Sequence, residues 1–436
     1  MNHRTLPTIL LVFAAVAYCY NTIWSLYPAL SSNDFKHIYL GMKALLDGNT
    51  PYSIQTMHHQ AALQGYRSIS LNPYVYLPFT AHAMAFLAPF TLVQAITVWF
   101  CLNHLFALAS IRLLSRLFPA PQRLLAGALL LLSFAFSTPY MRTLSAGQLN
   151  MALLLLFCLG FQALIDRREK LCGFLMVFAT VYKLMPGLYA LYFLLRRRWV
   201  AFISMAISGV ALLTVSILLA GPHRYLEFIP ELRQMSYGKS TWPHVFSFWD
   251  DPHNQSLNSF FSHIFTVNDH TTPWIELGQN AANYATIAVT LLLTAAYIIV
   301  SRPAAPPETT TSTTQDQAAW CSTLLLALLI PSLFWDHYLV MIILPVTWMI
   351  HHAITSRQHA LTATIAACYL ITLIPWNFES TPWRTGPGIL LMSLKLWPAL
   401  TLYALSLHIT RTASRATEVS GSHADAAAPA TSNEVS

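Results

Sequence analysis

Few side chains in this sequence can do ionic or acid–base chemistry, because only 24 residues are basic and 17 acidic in a chain of 436. Two aspartates stand beside other polar residues at the ends of apolar runs: Asp34 and Asp336. A carboxylate so placed can accept a proton from an attacking hydroxyl. Arg142, Lys183 and His337 are groups that could hold an anion or a developing negative charge. Lys183 is the most unusual of them, because it lies inside an apolar segment. An ionisable residue within a membrane is costly and points to function by default. The competing reading, a side chain that snorkels to the surface, fits poorly about twelve residues from the basic clusters on either side. Gln148 and Asn150 sit at the start of a Leu-rich run, where they either cap a helix or contact a ligand. Asn254 and Gln255 open another short motif. For Asp34 the plain alternative is an acidic residue favoured by a helix dipole; for His337 it is a buried, satisfied imidazole.

The elements that position these residues are membrane helices. Hydrophobic residues make up 55% of the chain and charged residues 9%, against roughly 25% charged in an ordinary soluble domain. Mean hydropathy is +0.50. This composition excludes a soluble enzyme, a disordered protein and a nucleic-acid binder. It specifies an all-α polytopic membrane protein. A span needs about 20 mostly apolar residues, and the candidates are 8–30, 92–114, 124–140, 149–165, 200–220, 284–301, 318–334, 338–355, 359–375 and 388–410. The first is expected to be an uncleaved span, since no A-x-A-like site follows it. Residues 77–90 are too short to cross, and 171–195 are broken by Lys183-Leu184-Met185-Pro186-Gly187. Proline removes a backbone donor and kinks a helix.

Arginine and lysine assign the sides. Arg4, then Arg112, Arg116 and Arg123, then Arg167, Arg168 and Lys170, then Arg196, Arg197 and Arg198, and later Arg302, Arg357, Arg411 and Arg415 mark short cytoplasmic segments. Residues 171–195 have basic clusters at both ends, so they must form a short hairpin that enters and leaves on the same side. Counting its two arms gives about 10–12 membrane helices, with two long non-cytoplasmic loops at 31–76 and 222–283. Residues 302–317 read as a polar cytoplasmic linker, and 411–436 as a disordered cytoplasmic tail after a membrane domain spanning 1–410. On this topology Asp34, Arg142, Gln148, Asn150, Asn254, Gln255, Asp336, His337, Asn377 and Glu379 all fall on the non-cytoplasmic side. An enzyme working there cannot draw on cytoplasmic nucleotide sugars or ATP; a lipid-linked donor meets the requirement. In the first loop, Ser32 or Asn33 is expected to cap a helix whose Phe35, Ile38, Met42, Leu45 and Leu46 form one face, lying in the membrane interface, and Gly48 is expected to end it.

The order of these motifs resembles that of family-87 polyprenyl-phosphate-dependent glycosyltransferases of the GT-C superfamily. The matching pieces are Asp34 with Tyr39, then Leu46-Asp47-Gly48-Asn49-Thr50-Pro51-Tyr52 and Tyr74-Val75-Tyr76-Leu77-Pro78-Phe79. Gly147-Gln148-Leu149-Asn150 and Tyr182-Lys183-Leu184-Met185-Pro186 follow, then Asn254-Gln255-Ser256-Leu257 and Trp335-Asp336-His337-Tyr338. Where the family pattern has two adjacent histidines, this chain has His337 and Tyr338.

The resemblance implies a GT-C-type bundle in a bacterial plasma membrane. It implies inverting transfer of a hexose such as mannose from a polyprenyl-phosphate donor to a glycan or glycolipid acceptor, with the active site on the periplasmic face. It implies Asp34 as catalytic base, with Asp336 as its rival. Arg142, Lys183 and His337 would hold the donor phosphate, and Tyr39, Gln148, Asn150, Asn254, Gln255 and Asp336 would contact substrate. One carboxylate suffices because a phosphate leaves without protonation, whereas glycoside hydrolysis uses two. No cofactor or metal is assigned; a divalent ion beside the phosphate stays open. Two alternatives remain: transfer of another lipid-linked sugar such as arabinofuranose, and a transporter or flippase of lipid-linked sugars. Repeat symmetry and midplane charges would mark the transporter.

Overall fold

The computed structural model describes residues 5–27, 34–66, 69–238, 249–302, 313–378 and 380–426, with side chains described as far as 414. Ser32, Asn33 and Glu379 lie outside the described residues. The chain is helical, in the order α1 (Thr5–Tyr18), α2 (Phe35–Leu46), α3 (Ile54–Leu63), α4 (Pro78–Ala83), α5 (Leu92–Ser115), α6 (Arg123–Ala135), α7 (Thr138–Ala146), α8 (Asn150–Ile165), α9 (Glu169–Tyr182) and α10 (Tyr189–Leu195). It continues with α11 (Trp199–Ala220), α12 (Pro222–Gln234), α13 (Leu257–Phe265), α14 (Gln279–Ser301), α15 (Thr314–Leu329), α16 (Ile343–Thr355), α17 (His359–Leu373), α18 (Ile389–Met392) and α19 (Leu396–Ala426). This is a polytopic all-α membrane protein.

Every expected span contains a helix, but fewer of them are full-length crossings than the hydrophobic runs suggest. Among the described residues, five helices are long and apolar enough to cross a membrane, or up to seven when each bent pair is counted as one. The shortfall has a physical cause. An apolar run records composition, whereas a continuous helix also needs an unbroken hydrogen-bond ladder, and several runs here are interrupted. The run near 124–140 bends by 62° between α6 and α7, where the Ser137 hydroxyl accepts from the Tyr140 N–H at 3.2 Å and caps the new helix. The last run bends by 63° before α19. Such breaks free backbone groups, which survive in a bilayer only where protein or a watery cavity covers them.

The hairpin is present. α9 ends at Lys183, whose backbone is extended (φ −146°, ψ 139°), and α10 returns after the Met185–Leu188 turn. Its two ends are tied together by Arg198 Nη1 on Glu169 Oε1 at 2.7 Å. Three arginine-bearing helix ends share one device. Arg167, Arg197 and Arg357 have φ of 59°, 52° and 55°. In each case the next N–H reaches back to a carbonyl five residues earlier, on Ala163, Phe193 and Ala353, at 2.8 Å. A left-handed residue with a side chain costs about 1 kcal/mol, and a cation at a helix C-terminus offsets part of that.

The helix after Asp34 differs from expectation. α2 is not a half-exposed interfacial helix: Phe35, His37, Ile38, Tyr39, Leu40, Gly41, Met42, Ala44 and Leu45 are all buried. The segment that follows, including α3 and α4, packs against it, and periodicity along a sequence cannot register a cover supplied by another segment. Tyr74 lies so close to Gly41 that a Cβ there would sit 2.2 Å from its ring.

Candidate active site

A cavity of about 1100 Å³ opens among the start of α2, the 72–77 segment, the end of α7, the tip of the hairpin, α12 and the 331–338 segment. Its apolar wall includes Leu184, Phe228, Leu232, Met235, Leu328 and Ile330; its polar end includes Asp34, Arg142, Gln148, Lys183 and His337.

Asp34 sits at the N-terminus of α2, yet its carboxylate does not cap the helix. The side chain is 48% exposed and faces the cavity. Gln148 Nε2 donates to Asp34 Oδ2 at 3.3 Å, and Tyr76 OH donates to Gln148 Oε1 at 3.4 Å. Gly147 puts Gln148 there: its φ of 63° ends α7 in a left-handed turn, a conformation glycine adopts without a Cβ penalty. His37 Nε2 lies 3.9 Å from Asp34 Oδ1. The Asn72 N–H donates to His37 Nδ1 at 3.0 Å, so the neutral ring carries its proton on Nε2, toward Asp34. Burial, with the Lys36 charge second, pulls the His37 pKa down to about 3. Burial raises the Asp34 carboxyl above its ordinary range, opposed by the Gln148 hydrogen bond and by the charges of Lys36 and Arg142.

The facing wall is cationic. Lys183 Nζ donates to Asn150 Oδ1 at 2.9 Å and stands 3.7 Å from the centre of the Tyr338 ring, a cation–π arrangement. Asn150 Nδ2 in turn reaches Thr143 Oγ1 and the His337 carbonyl, both at 3.3 Å. The His337 ring stacks on Trp335 at 6.3 Å between centroids, and its Nε2 has no hydrogen-bond partner. Arg142 Nη1 donates to Asp336 Oδ2 at 2.5 Å, with a third of the Arg142 side chain exposed.

A family model for glycosyltransferase family 87 matches residues 74–330, more than half of the chain. The chain belongs to glycosyltransferase family 87. No curated protein matches it. The protein is therefore a membrane glycosyltransferase. The matched stretch holds Arg142, Gln148, Asn150 and Lys183; Asp34 and His337 fall outside it, and the fold brings them to the same cavity.

Of the residues expected in the site of this family-87 enzyme, Asp34, Arg142, Gln148, Lys183 and His337 line the cavity, whereas Asn150 stands directly behind Lys183. Four others lie away from the cavity wall, and for each the expected substrate contact gives way to a bond within the protein. Tyr39 OH donates to the Phe90 carbonyl at 2.6 Å. Asn254 Oδ1 accepts from the Phe334 N–H at 3.0 Å, and its Nδ2 donates to the Ser332 carbonyl at 2.9 Å. Gln255 Nε2 donates to the carbonyls of Pro252 and Met392 at 2.8 and 3.0 Å, while its Oε1 accepts from the Lys395 N–H at 3.0 Å. Asp336 is 1% exposed and held by Arg142.

Asn254 and Gln255 thus form a clasp rather than a contact surface. The 253–255 segment pairs with 334–336 through the Gln255 N–H on the Phe334 carbonyl at 2.7 Å and the Asp336 N–H on the His253 carbonyl at 3.0 Å. The clasp fixes the strand-like stretch that presents His337. Sequence reasoning passes over His37, whose signal is its place one helical turn after Asp34. It leaves Lys395 without a role, although an intramembrane lysine is a signal in itself. Asp251 also lines the cavity, with its Oδ1 accepting from the His253 N–H at 2.7 Å; no local pattern announces it.

Proposed function

We propose that the protein transfers a hexose, mannose foremost, with inversion from a polyprenyl monophosphate to a hydroxyl of a glycan or glycolipid on the non-cytoplasmic face. That face would be periplasmic in a bacterial plasma membrane. One observation carries this reading: a half-exposed carboxylate, Asp34, shares a single cavity with Lys183, Arg142 and His337, and the cavity continues along an apolar wall. The cations suit a phosphate and the wall suits a prenyl chain, so one lipid phosphate can satisfy both.

In the reaction the acceptor oxygen forms a bond to the anomeric carbon as the bond from that carbon to the phosphate oxygen breaks. The acceptor proton goes to Asp34, and the polyprenyl phosphate leaves with the bonding electrons, its charge balanced by the cations. A base works best when its pKa approaches the working pH, and burial moves Asp34 in that direction. Asp34 is favoured over Asp336 because the Asp336 carboxylate is enclosed and ion-paired. Membranes carrying the protein, given radiolabelled mannose on a synthetic polyprenyl phosphate, are expected to label a membrane acceptor. Labelling from a nucleotide sugar alone, in membranes unable to make the lipid donor, would overturn the lipid-phosphate donor.

A further inference from the structure

Lys395 lies at the break between α18 and α19 with its side chain fully buried. Its Nζ has no hydrogen-bond partner. Among the described residues the nearest carboxylate oxygen is Asp336 Oδ2, at 3.8 Å, the same oxygen that accepts from Arg142 at 2.5 Å. The Phe378 ring covers the ammonium at 5.7 Å. The break itself is built to hold this residue, since Gln255 accepts the Lys395 N–H and donates to the Met392 carbonyl. One buried carboxylate therefore serves two cations, of which only Arg142 lines the cavity.

We propose that Lys395 is a positioning residue for the donor phosphate: it supplies the counter-charge to Asp336, so that the Arg142 guanidinium remains available to the phosphate. This rests on the reading of the cavity as a lipid-phosphate site. A buried carboxylate needs a cation. Without Lys395, Asp336 would neutralise Arg142 entirely, and the arginine could not turn to a second anion without leaving Asp336 unpaired. With Lys395 the three groups together carry one positive charge, offered to the cavity through Arg142.

The test is binding of farnesyl phosphate, a short prenyl monophosphate, to the full-length protein in detergent. Lys395→Met is expected to weaken binding about tenfold, through the loss of one nearby charge, whereas Lys395→Arg binds as wild type. Removing the carboxylate as well, in Asp336→Asn/Lys395→Met, is expected to restore binding to within about threefold, because Arg142 is then free again. A generally disturbed fold would not be rescued in this way. Should Lys395→Met fail to fold, Lys395→Gln carries the same expectation. Wild-type affinity in the charge-removing variant, or a double variant as weak as the single one, overturns the role of Lys395. Arg142→Gln separates the two layers. If it weakens binding while Lys395→Met does not, only the Lys395 inference fails. If Arg142→Gln, Lys183→Met and wild type all bind alike, the phosphate site fails.

Discussion

Asp316 and Asp336 are both buried aspartates between two cations, and they are finished differently. Asp316, near the basic end of the molecule, has both oxygens occupied. Arg196 meets Oδ1 through Nη2 at 2.6 Å and Nε at 2.7 Å, and Arg198 Nη2 meets Oδ2 at 2.5 Å. The Thr313 N–H adds a further bond to Oδ2 at 3.2 Å. The cluster ties the end of the hairpin to the start of α15. By contrast, Asp336 Oδ1 and Lys395 Nζ behind the cavity wall, and Nε2 of the cavity residue His337, are buried without hydrogen-bond partners. Buried polar atoms are normally paired. The cluster whose carboxylate is fully paired, with only Arg198 Nε left over, holds structure; the one whose carboxylate is half-paired retains bonding capacity near a cavity, which is what a binding site requires.

If the contrast is right, damage to the two ends is read out differently. The largest stability loss is expected from Asp316→Asn, which leaves the buried Arg196 without a carboxylate and Arg198 with Glu169 alone. About 3–5 kcal/mol should appear as a lowered thermal unfolding temperature in detergent. A loss confined to turnover would erase the distinction.

Lys183→Met is expected to act in the opposite sense. Donor kcat/KM falls about 10–100-fold, in keeping with loss of a charge-assisted contact, while thermal stability holds, because an apolar residue replaces a buried charge. Gly147→Ala forces a side chain into a left-handed turn and is expected to cost about 1 kcal/mol. Because Gln148 then moves away from Asp34, turnover falls further than stability, as a paired melt and rate assay would register.

The smallest effect concerns pH. With Asp34 as the proposed base, which must be ionised to act, and with burial raising its pKa, activity is expected to be lost toward acid at a pH above the ordinary aspartate range. Gln148→Leu removes a hydrogen bond that favours the charged form. The acid limb of the kcat/KM profile is therefore expected to shift to higher pH; a shift downward, or none, would detach Gln148 from the base.

Much of this architecture is legible in the amino-acid sequence. Apolar runs locate the helices, and two basic clusters flanking Lys183 and Pro186 imply a hairpin entering from one side. Scarcity of charge and the order of the motifs pick out the polar residues that share the cavity. What stays hidden depends on contacts distant in sequence. Nothing local in Asn254-Gln255 shows that its amides fasten 332–336 and the 392–395 break. The burial of α2 comes from segments that follow it. Lys395 and Asp336 belong to different runs, and only folding makes them neighbours. Hydropathy overestimates span length because it does not count hydrogen bonds, and the bends before α7 and α19 interrupt the ladder.

The assignment of the base is tested most directly by single-turnover rates of sugar transfer from polyprenyl-phosphate mannose, comparing Asp34→Asn with Asp336→Asn at saturating donor. Asp34→Asn is expected to slow transfer on the order of 10³-fold, as for loss of a general base. Asp336→Asn is expected to slow it less than about tenfold, since Asp336 acts only through Arg142. The reverse order, with Asp34→Asn near wild type and Asp336→Asn inactive though folded, would contradict Asp34 as the base and move the chemistry to Asp336.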